Sequence, residues 1–545
     1  RKAEFARPKP GNIEKLRMLE RDPGADVQIE RPTSARVTTA FTKDLKDKTP
    51  PGSIRLLMPS TVSRIEREKV VLKKDDGSEL TLPNDAVFSM IGREAPLDFF
   101  RRSGLHVRGD WRPITYLSCL AFLIFCIFLY HWKSSHPQEF SVQRWASQHH
   151  AFPYNIPKVI DGSGSRIAEW SRHEGNLLFT IRRGLSNPAF YYTLAYCTCV
   201  VVFGIRRIRR RRTPYVTRQT LVLMCVQCIP LFILPELILP WMGRNGFFEA
   251  GHPLHWLADH LFESYDGTLG HERAYWRAYG FILAFPLNVY NVFTDQPMWL
   301  WLGICFLQTF VVIPLIIFRW GKGAYCGWIC SCGALAETMG DSYRTKMPHG
   351  PFWNRLNMLG QVVLLFAFVI LGLRIAGWTL GEGSWATHWY HKLFEGIPFL
   401  SYSWSIDILM AGILGVGLYF WFSGRVWCRF ACPLAALMHI YTRFSRYRIF
   451  PDKHKCISCN ICTSVCHQGI DVMNFANKGL PMKDPECVRC SACVQQCPTG
   501  VLAFGRYDSH RNIILDKLPA SPVLMRENGT AGEESRPDPE ALVAG

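Results

Sequence analysis

Eight cysteines near the C-terminal end carry the strongest chemical signal in this sequence. They form two runs of the pattern Cys-x2-Cys-x2-Cys-x3-Cys, CISCNICTSVC and CVRCSACVQQC, separated by residues 467–486. This spacing predicts two cubane [4Fe-4S] clusters, because three close thiolates bind three irons of one cluster while the fourth reaches across to the other cluster. The predicted ligands are Cys456, Cys459, Cys462 and Cys497 for one cluster, and Cys487, Cys490, Cys493 and Cys466 for the second.

Zinc sites and a disulfide framework are the alternatives for these eight thiols. Zinc sites rarely repeat so tight a four-cysteine run, and disulfides between residues three apart are geometrically awkward. The segment resembles the bacterial two-cluster ferredoxin domain, which implies an α+β unit over residues 451–508. Pro498 follows the last cysteine as in that family, whereas His467 follows Cys466 where many relatives have proline. This departure concerns the turn and leaves the ligand set complete.

Two further cysteine groups occur upstream, in the stretches GAYCGWICSCG and GRVWCRFACPLAA. Their members, the candidate redox thiols, are Cys326, Cys330, Cys332, Cys428 and Cys432. Cysteines four apart share one face of a helix, so thiols from two helix ends could meet around a metal or act as redox thiols. The alternative is that these cysteines are small residues that pack at helix contacts. The sequence leaves open what the thiols bind.

Over residues 275–505 these paired motifs and the ferredoxin segment resemble a family of membrane ferredoxins. That family includes the nitrous-oxide-reductase maturation flavoprotein and the quinol-oxidising subunit of periplasmic nitrate reduction. Both motifs are usually Cys-x3-Cys-Pro there, whereas here Ser331 replaces the first proline and Cys332 adds a thiol. The resemblance implies a membrane-bound iron–sulfur oxidoreductase.

Long uncharged apolar runs predict that residues 111–450 form a polytopic helical membrane domain with about six spans. The predicted spans are Ile114–Trp132, Ala189–Ile205, Thr220–Trp241, Met298–Phe318, Leu356–Leu373 and Trp404–Phe422. A shorter run, Ala278–Phe293, contains Pro286, Asn288 and Asn291. We interpret it as a re-entrant segment, because two cytoplasmic end domains require an even number of crossings and irregular backbone at membrane depth must be buried in protein.

The formal net charge of +18 lies largely in loops beside these apolar runs, including six arginines in residues 206–212. This distribution follows the positive-inside rule and favours a bilayer over nucleic acid as the partner of the basic residues. The loop 243–277, with three basic and five acidic residues, is predicted to face outside. Because the cluster thiols need a reducing compartment, we expect a multi-pass protein of the bacterial inner membrane with both ends in the cytoplasm.

Residues 1–110 have a soluble character, with strands predicted around 70–72, 80–82 and 86–91 and a turn at Asp76-Gly77. The words NDAVF (84–88) and IGR (91–93) resemble the end of the nucleotide-binding region in thioredoxin-reductase-like flavoproteins. That resemblance implies the C-terminal part of an α/β NAD(P)-binding domain, with the FAD-binding half and most of the nucleotide site upstream. It makes Arg1, Lys2 and Arg7 candidate contacts to the 2′-phosphate of NADP. A solvated basic terminus is the alternative.

Together these features predict a membrane-anchored electron-transfer oxidoreductase, and residues 509–545 are predicted to form a largely disordered tail. Electrons would enter from NAD(P)H through the upstream flavin, pass to two [4Fe-4S] clusters and leave to a membrane or periplasmic acceptor. A first alternative reverses the flow, with quinol oxidised in the membrane. A second is a maturation or regulatory factor that supplies electrons or metal to a periplasmic metalloenzyme. The possible partners are therefore the bilayer, a quinone and a periplasmic redox protein.

Overall fold

The computed structural model describes residues 10–25, 53–85, 87, 97–105, 107, 110–133, 142–162, 166–264, 273–342, 347–422 and 424–516. The candidate NADP contacts Arg1, Lys2 and Arg7 lie outside these residues, as do most of the predicted strand 86–91 and the tail from residue 517. The described part comprises a small N-terminal sheet, a set of long apolar helices and a cysteine-rich C-terminal unit.

The N-terminal sheet is an antiparallel meander of β1 (Ser60–Ile65), β2 (Lys69–Lys74) and β3 (Glu79–Pro83). Asp76 orders the turn between β2 and β3, because its carboxylate accepts the backbone N–H of Ser78 at 2.8 Å. Two of the predicted strands and their turn are therefore present, and β1 joins them. The described residues 53–85 contain only this antiparallel sheet, so they do not show the α/β nucleotide-binding domain predicted for residues 1–110.

Within the described residues, five helical segments are long and apolar enough to cross a bilayer. They are Pro113–Lys133, Pro188–Arg211, Pro214–Arg244, Trp299–Trp320 and Phe352–Leu380. Each contains or largely overlaps one of the first five predicted spans. The sixth span, predicted over Trp404–Phe422, is a shorter apolar helix, Ser403–Gly417. It ends early because glycines at positions 412, 415 and 417 weaken the last helical turns.

The run that we predict to be re-entrant has an irregular backbone inside the protein. A 3₁₀ helix, Tyr275–Phe281, is followed by successive turns. Side chains satisfy its free backbone groups: Thr309 Oγ1 donates to the carbonyl oxygen of Phe285 at 2.8 Å, and the Tyr325 hydroxyl donates to that of Ile282 at 2.7 Å. Such pairing is what a buried irregular backbone requires.

Shorter helices connect and flank these segments. On the N-terminal side they are Pro10–Arg21, Leu97–Arg102, Val142–Gln148, Ile156–Gly162, Arg166–Trp170, Leu177–Gly184 and His255–Leu261. Further along the chain they are Gly323–Cys326, Ser331–Glu337, Met339–Ser342, Trp385–His391, Val426–Phe430 and Pro433–Thr442. The long helices also contain π-helical stretches, Ile229–Ile238 and Gln308–Val312, and two more occur at Lys392–Gly396 and Ser403–Leu414.

The C-terminal unit combines three short helices with an antiparallel sheet of β4 (Tyr447–Pro451), β5 (Leu502–Tyr507) and β6 (Ile513–Leu515). The helices are Ile461–Ser464, Val472–Ala476 and Ala492–Gln496. This unit extends beyond both ends of the predicted range 451–508. The reason is that β4 pairs with β5 from residue 447 onward and β6 pairs with the far end of β5.

This unit is packed directly against the membrane helices. The Tyr215 hydroxyl donates to the carbonyl oxygen of Arg489 at 3.3 Å, and the Arg489 guanidinium donates to that of Trp320. Gly323 permits the close approach, since a Cβ there would lie 2.7 Å from the carbonyl carbon of Val488. The C-terminal unit and the membrane helices therefore form one packed body around the cysteines.

Candidate metal centres

The first cysteine cavity opens on the side of the C-terminal unit that faces solvent. Cys456, Cys459, Cys462 and Cys497 line a space of about 320 Å³. Two residues between these thiols, Ser458 and Asn460, have positive φ values of 54° and 63°. Non-glycine residues rarely adopt this conformation, and here it curls the loop so that its thiols surround one space.

The second cavity repeats this construction. Cys466, Cys487, Cys490 and Cys493 line a space of about 350 Å³. Arg489 and Ser491, which occupy the same positions in the second run as Ser458 and Asn460 in the first, have φ values of 49° and 61°. Each cavity thus receives three cysteines from one run and the fourth from the other run. The four thiols in each cavity are those that the spacing predicts as one ligand set.

The residues around these two cavities fit an iron–sulfur cluster better than a single metal ion. Among the described residues, no three Cys, His, Asp or Glu side chains converge on a point where one ion would bind. The thiols instead surround a space, as they must when each binds a different iron. The side-chain amide of Gln468 also lines the second cavity and has no hydrogen-bond partner within the described part of the chain. A sulfide or thiolate would give its N–H an acceptor.

All five candidate redox thiols line a third cavity. The prediction that cysteines four apart share one helix face is wrong, because each motif contains a helix break. Cys326 ends one short helix and Cys330 precedes the next, while Cys432 caps Pro433–Thr442 by accepting the backbone N–H of Ala435 at 3.4 Å. Gly333 permits this fold, since a Cβ there would overlap the Cys326 carbonyl.

Polar side chains from the membrane helices hold the loop between Cys326 and Cys332 in place. Gln219 donates to the carbonyl oxygen of Gly327 at 2.9 Å, and Gln227 donates to that of Ile329 at 2.6 Å. The Tyr196 hydroxyl donates to the carbonyl oxygen of Ser331 at 3.0 Å. These contacts add to the loop's own backbone hydrogen bonds, such as the one from the N–H of Ile329 to the carbonyl oxygen of Tyr325 at 3.0 Å, and help to hold the thiols in place.

A buried charge network lies beside the third cavity. Glu337 accepts one N–H from Arg207 at 2.9 Å and one from Arg425 at 2.5 Å, and the three side chains have no exposed surface. The Cys332 thiol, which hydrogen-bonds to Cys428, lowers the pKa of the Cys428 thiol, and the charge of Arg425 lowers it further. The site therefore favours a thiolate at Cys428.

Sequence reasoning missed two buried basic residues, Arg425 and Lys322, whose positive charges act on the thiols of Cys428 and Cys326. Each precedes the first cysteine of a motif by three or four positions, in GKGAYC and GRVWC. That repeated placement of a basic residue before a cysteine pair is the signal by which both could have been found. The side chains are 1% and 2% exposed, respectively.

The three cavities differ in their exposure to solvent, and two of them share a wall. Cys459 in the first cavity is exposed, whereas Cys466 and Cys493 in the second are buried. Val488 lines both the second and the third cavity, so these two share a wall. The arrangement leads from solvent at the first cavity to the membrane domain at the third.

Two carboxylates lie within the apolar helices, and both are bound by tyrosines of the irregular segment. Asp407 accepts a hydrogen bond from the Tyr290 hydroxyl at 2.9 Å, and Glu236 accepts one from Tyr279 at 3.3 Å.

The seven remaining cysteines are free and lie in the long helices. Four of them, Cys119, Cys126, Cys197 and Cys305, are buried, where a free cysteine packs as a small apolar residue.

Two family models match this chain at these cysteine-rich segments. A 4Fe-4S dicluster domain matches residues 448–498, and a 4Fe-4S binding domain matches residues 298–348 and 404–451. The first contains the eight cysteines of the two ferredoxin-like runs, and the second contains both upstream motifs. The chain therefore carries two kinds of 4Fe-4S domain. No solved structure matches it significantly.

Three similar proteins carry different kinds of name, one of which refers to electron transport and one to regulation. YccM of Escherichia coli, provisionally named as an electron transport protein, is 26% identical over 196 residues, which are 35% of this chain and 52% of YccM. Regulatory protein NosR of Stutzerimonas stutzeri is 29% identical over 229 residues, 38% of this chain and 28% of NosR. Protein NirI of Paracoccus denitrificans is 24% identical over 207 residues, 34% of this chain and 28% of NirI.

This chain thus spans about half of the length of YccM and less than a third of NosR and NirI. The family matches and the apolar helices together show a chain that carries 4Fe-4S domains and helices long enough to cross a membrane. The family models lie within residues 298–498 and therefore do not include the N-terminal sheet, and the matches give no support to a flavin or nicotinamide site.

Proposed function

We propose that this chain is a membrane-anchored electron-transfer oxidoreductase with two [4Fe-4S] clusters in its C-terminal domain. Cys456, Cys459, Cys462 and Cys497 would hold the cluster nearer to solvent. Cys487, Cys490, Cys493 and Cys466 would hold the cluster nearer to the membrane. When bound, such clusters supply one-electron transfer.

The observation that carries this proposal is that one C-terminal unit contains a thiol site exposed to solvent and a second thiol site that shares a wall with the thiols of the membrane domain. The exposed thiol of Cys459 gives a redox partner access to the first cavity, and the wall at Val488 separates the second cavity from the thiols of the membrane domain. Iron storage alone does not require a solvent-exposed thiol site and a second site next to the thiols of the membrane domain.

The protein residues contribute position and exclusion of water. Backbone N–H groups point at the sulfurs, as at Val501, which donates to Cys497 Sγ at 3.4 Å. Hydrogen bonds to sulfur and low solvent exposure are two factors that set the reduction potential of a cluster. The second site is more buried than the first, so the two clusters would differ in potential.

The electron source and acceptor form a finer part of the proposal. The resemblance of residues 84–93 to thioredoxin-reductase-like flavoproteins supports NAD(P)H as the source, through an upstream flavin, with Arg1, Lys2 and Arg7 as NADP contacts. The polar side chains within the apolar helices, Asp407 and Glu236, are suited to a quinone or proton at the membrane end. We place both ends of the chain in the cytoplasm of a bacterial cell, on the loop charges.

The test is to reduce the clusters in the full-length protein under anaerobic conditions. Their visible absorbance monitors the reduction. We expect NAD(P)H to bleach the cluster absorbance if electrons enter through the upstream flavin. We expect a quinol analogue to bleach it if electrons enter from the membrane. Cys459→Ala should diminish the bleached absorbance, while the matched control Cys225→Ala, an exposed cysteine of a membrane helix, should leave it unchanged. Absence of any reducible chromophore would refute the proposal.

A second candidate function is maturation or regulation of a periplasmic metalloenzyme. Similarity to a protein named Regulatory protein NosR favours it. In that case deletion of the gene should abolish activity of one periplasmic metalloenzyme while membrane NAD(P)H and quinol oxidation remain unchanged. An electron-transfer role in metabolism predicts the opposite pattern.

A further inference from the structure

The turns that follow the last cysteine of each run have the same backbone structure. After the first run, the N–H of Gly469 donates to the carbonyl oxygen of Cys466 at 3.2 Å. After the second run, the N–H of Gly500 donates to that of Cys497 at 3.4 Å. The two glycines also share a positive φ, 67° and 62° respectively. Residues at equal distances along the chain from Cys466 and from Cys497 are therefore structurally equivalent.

The backbone of each turn donates to the cysteine sulfur in the same way. The N–H of Val501 donates to Cys497 Sγ at 3.4 Å. The equivalent residue of the other turn, Ile470, donates its N–H to the thiol of Cys466. Because both sulfurs accept this bond, it does not distinguish the two sites.

The side chains two residues after each cysteine do distinguish the sites. In the turn after the second run, Thr499 Oγ1 lies 3.7 Å from Cys497 Sγ, so a hydroxyl reaches a sulfur of the first cavity. The equivalent position in the other turn is Gln468, next to His467, which stands where the second run has Pro498. A glutamine amide is longer than a threonine hydroxyl and carries two N–H donors. The departure from the ferredoxin pattern at this turn therefore changes what its side chains can donate.

The amide of Gln468 is buried at the second cavity. The residue is 2% exposed and lines this cavity together with the four predicted cluster thiols. Neither Nε2 nor Oε1 has a hydrogen-bond partner among the residues that the structure describes. Buried polar groups are nearly always hydrogen-bonded, because an unpaired one has lost its bonds to water without replacement. A sulfur acceptor in the cavity would complete the bonding of Nε2.

We infer that Gln468 donates a side-chain hydrogen bond to a sulfur of the second cluster and thereby raises the reduction potential of that cluster. Reduction adds negative charge to the cluster, so a donor to its sulfur stabilises the reduced form more than the oxidised form. Burial acts in the opposite direction, because a site with little solvent disfavours the more highly charged form. The Gln468 amide therefore offsets part of the effect of burial. The inference rests on the proposed function, which assigns Cys466, Cys487, Cys490 and Cys493 to this cluster.

A redox titration of the full-length protein, followed by electron paramagnetic resonance, tests this role. Gln468→Met keeps an unbranched side chain and removes both N–H donors. It should lower the potential of the signal that Cys490→Ser alters by up to about 59 mV, which is a tenfold change in the constant of a one-electron couple. The iron content should stay at about eight per chain. Thr499→Val, at the equivalent position of the other turn, is the matched control and should leave this signal unchanged.

Gln468→Thr provides a second variant, because the equivalent turn already accommodates a threonine. Its hydroxyl is a shorter donor, so the potential should lie below that of the wild type and above that of Gln468→Met. If Gln468→Met does not assemble its cluster, Gln468→Thr alone decides. A potential equal to or above that of the wild type in the deciding variant, with unchanged iron content, would overturn the inference and leave the proposed function standing. Absence of any iron–sulfur signal in the wild type would overturn the proposed function itself.

Discussion

Substitution of Gly323 by alanine should loosen the contact between the C-terminal unit and the membrane helices. A Cβ at this position would lie 2.7 Å from the carbonyl carbon of Val488, and closer still to its oxygen and to Cβ of Arg489. Carbon atoms attract one another best at separations of about 3.5–4.0 Å. The new methyl group therefore requires the two backbones to move apart by roughly 0.8 Å at least. Neither is a flexible side-chain end that could turn away.

The size of the effect follows from the cost of overpacking. An extra methylene in a well-packed region costs about 1–3 kcal/mol. Since about 1.4 kcal/mol changes an equilibrium constant tenfold, the ratio of packed to separated forms should fall by about 5- to 150-fold. Gly372 in the helix Leu359–Leu380 provides a matched control, because no atom lies within 4 Å of a Cβ at that position. Alanine there should be neutral or slightly stabilising.

Hydrogen exchange followed by mass spectrometry measures this opening directly. Backbone amides around Val488 should lose protection in Gly323→Ala by the factor given above, whereas amides around Cys459 should exchange as in the wild type. Local opening of this kind appears as faster exchange in one contiguous segment. Equal protection around Val488 in the wild type, Gly323→Ala and Gly372→Ala would refute the reasoning that this contact holds the C-terminal unit in place.

Three further predictions concern the buried charges, the helix packing and the topology. Glu337→Gln leaves two buried arginines without their shared carboxylate and should destabilise the protein by about 3–5 kcal/mol in detergent unfolding, while Asp161→Asn at a half-exposed pair should cost about 1 kcal/mol or less. Gly412→Ala places a methyl group into the ring of Tyr130 and should lower the melting temperature. Cysteines introduced at Ser264 and Ser384 should react with an impermeant thiol reagent in intact cells, and labelling only after permeabilisation would reverse the orientation.

The sequence predicts well those features that depend on local spacing. The cysteine runs, five of the apolar helices, and the β2–β3 hairpin with its turn at Asp76 all follow from patterns within a few residues. The crossing of Cys466 and Cys497 between the two cavities follows from the known geometry of such runs, and the structure brings the predicted thiols together.

Features that depend on long-range packing are less accessible. The third cavity joins motifs about one hundred residues apart, and neither motif is a continuous helix, because Cys330 and Cys432 each precede a new helix instead of continuing one. The burial of Lys322 and the effect of its charge on Cys326 are likewise evident only in the folded chain. The positive φ angles at Ser458 and Arg489 likewise arise from the closure of the loops around each cavity.

The central claim is that each of two clusters takes three thiols from one cysteine run and the fourth from the other run. Electron paramagnetic resonance of the dithionite-reduced protein, recorded for single serine variants, tests it most directly. We predict that Cys466→Ser and Cys490→Ser alter the same cluster signal and that Cys497→Ser alters the other, together with Cys459→Ser. If Cys466→Ser and Cys459→Ser instead alter one signal in common, or if no iron–sulfur signal is present, the claim is contradicted.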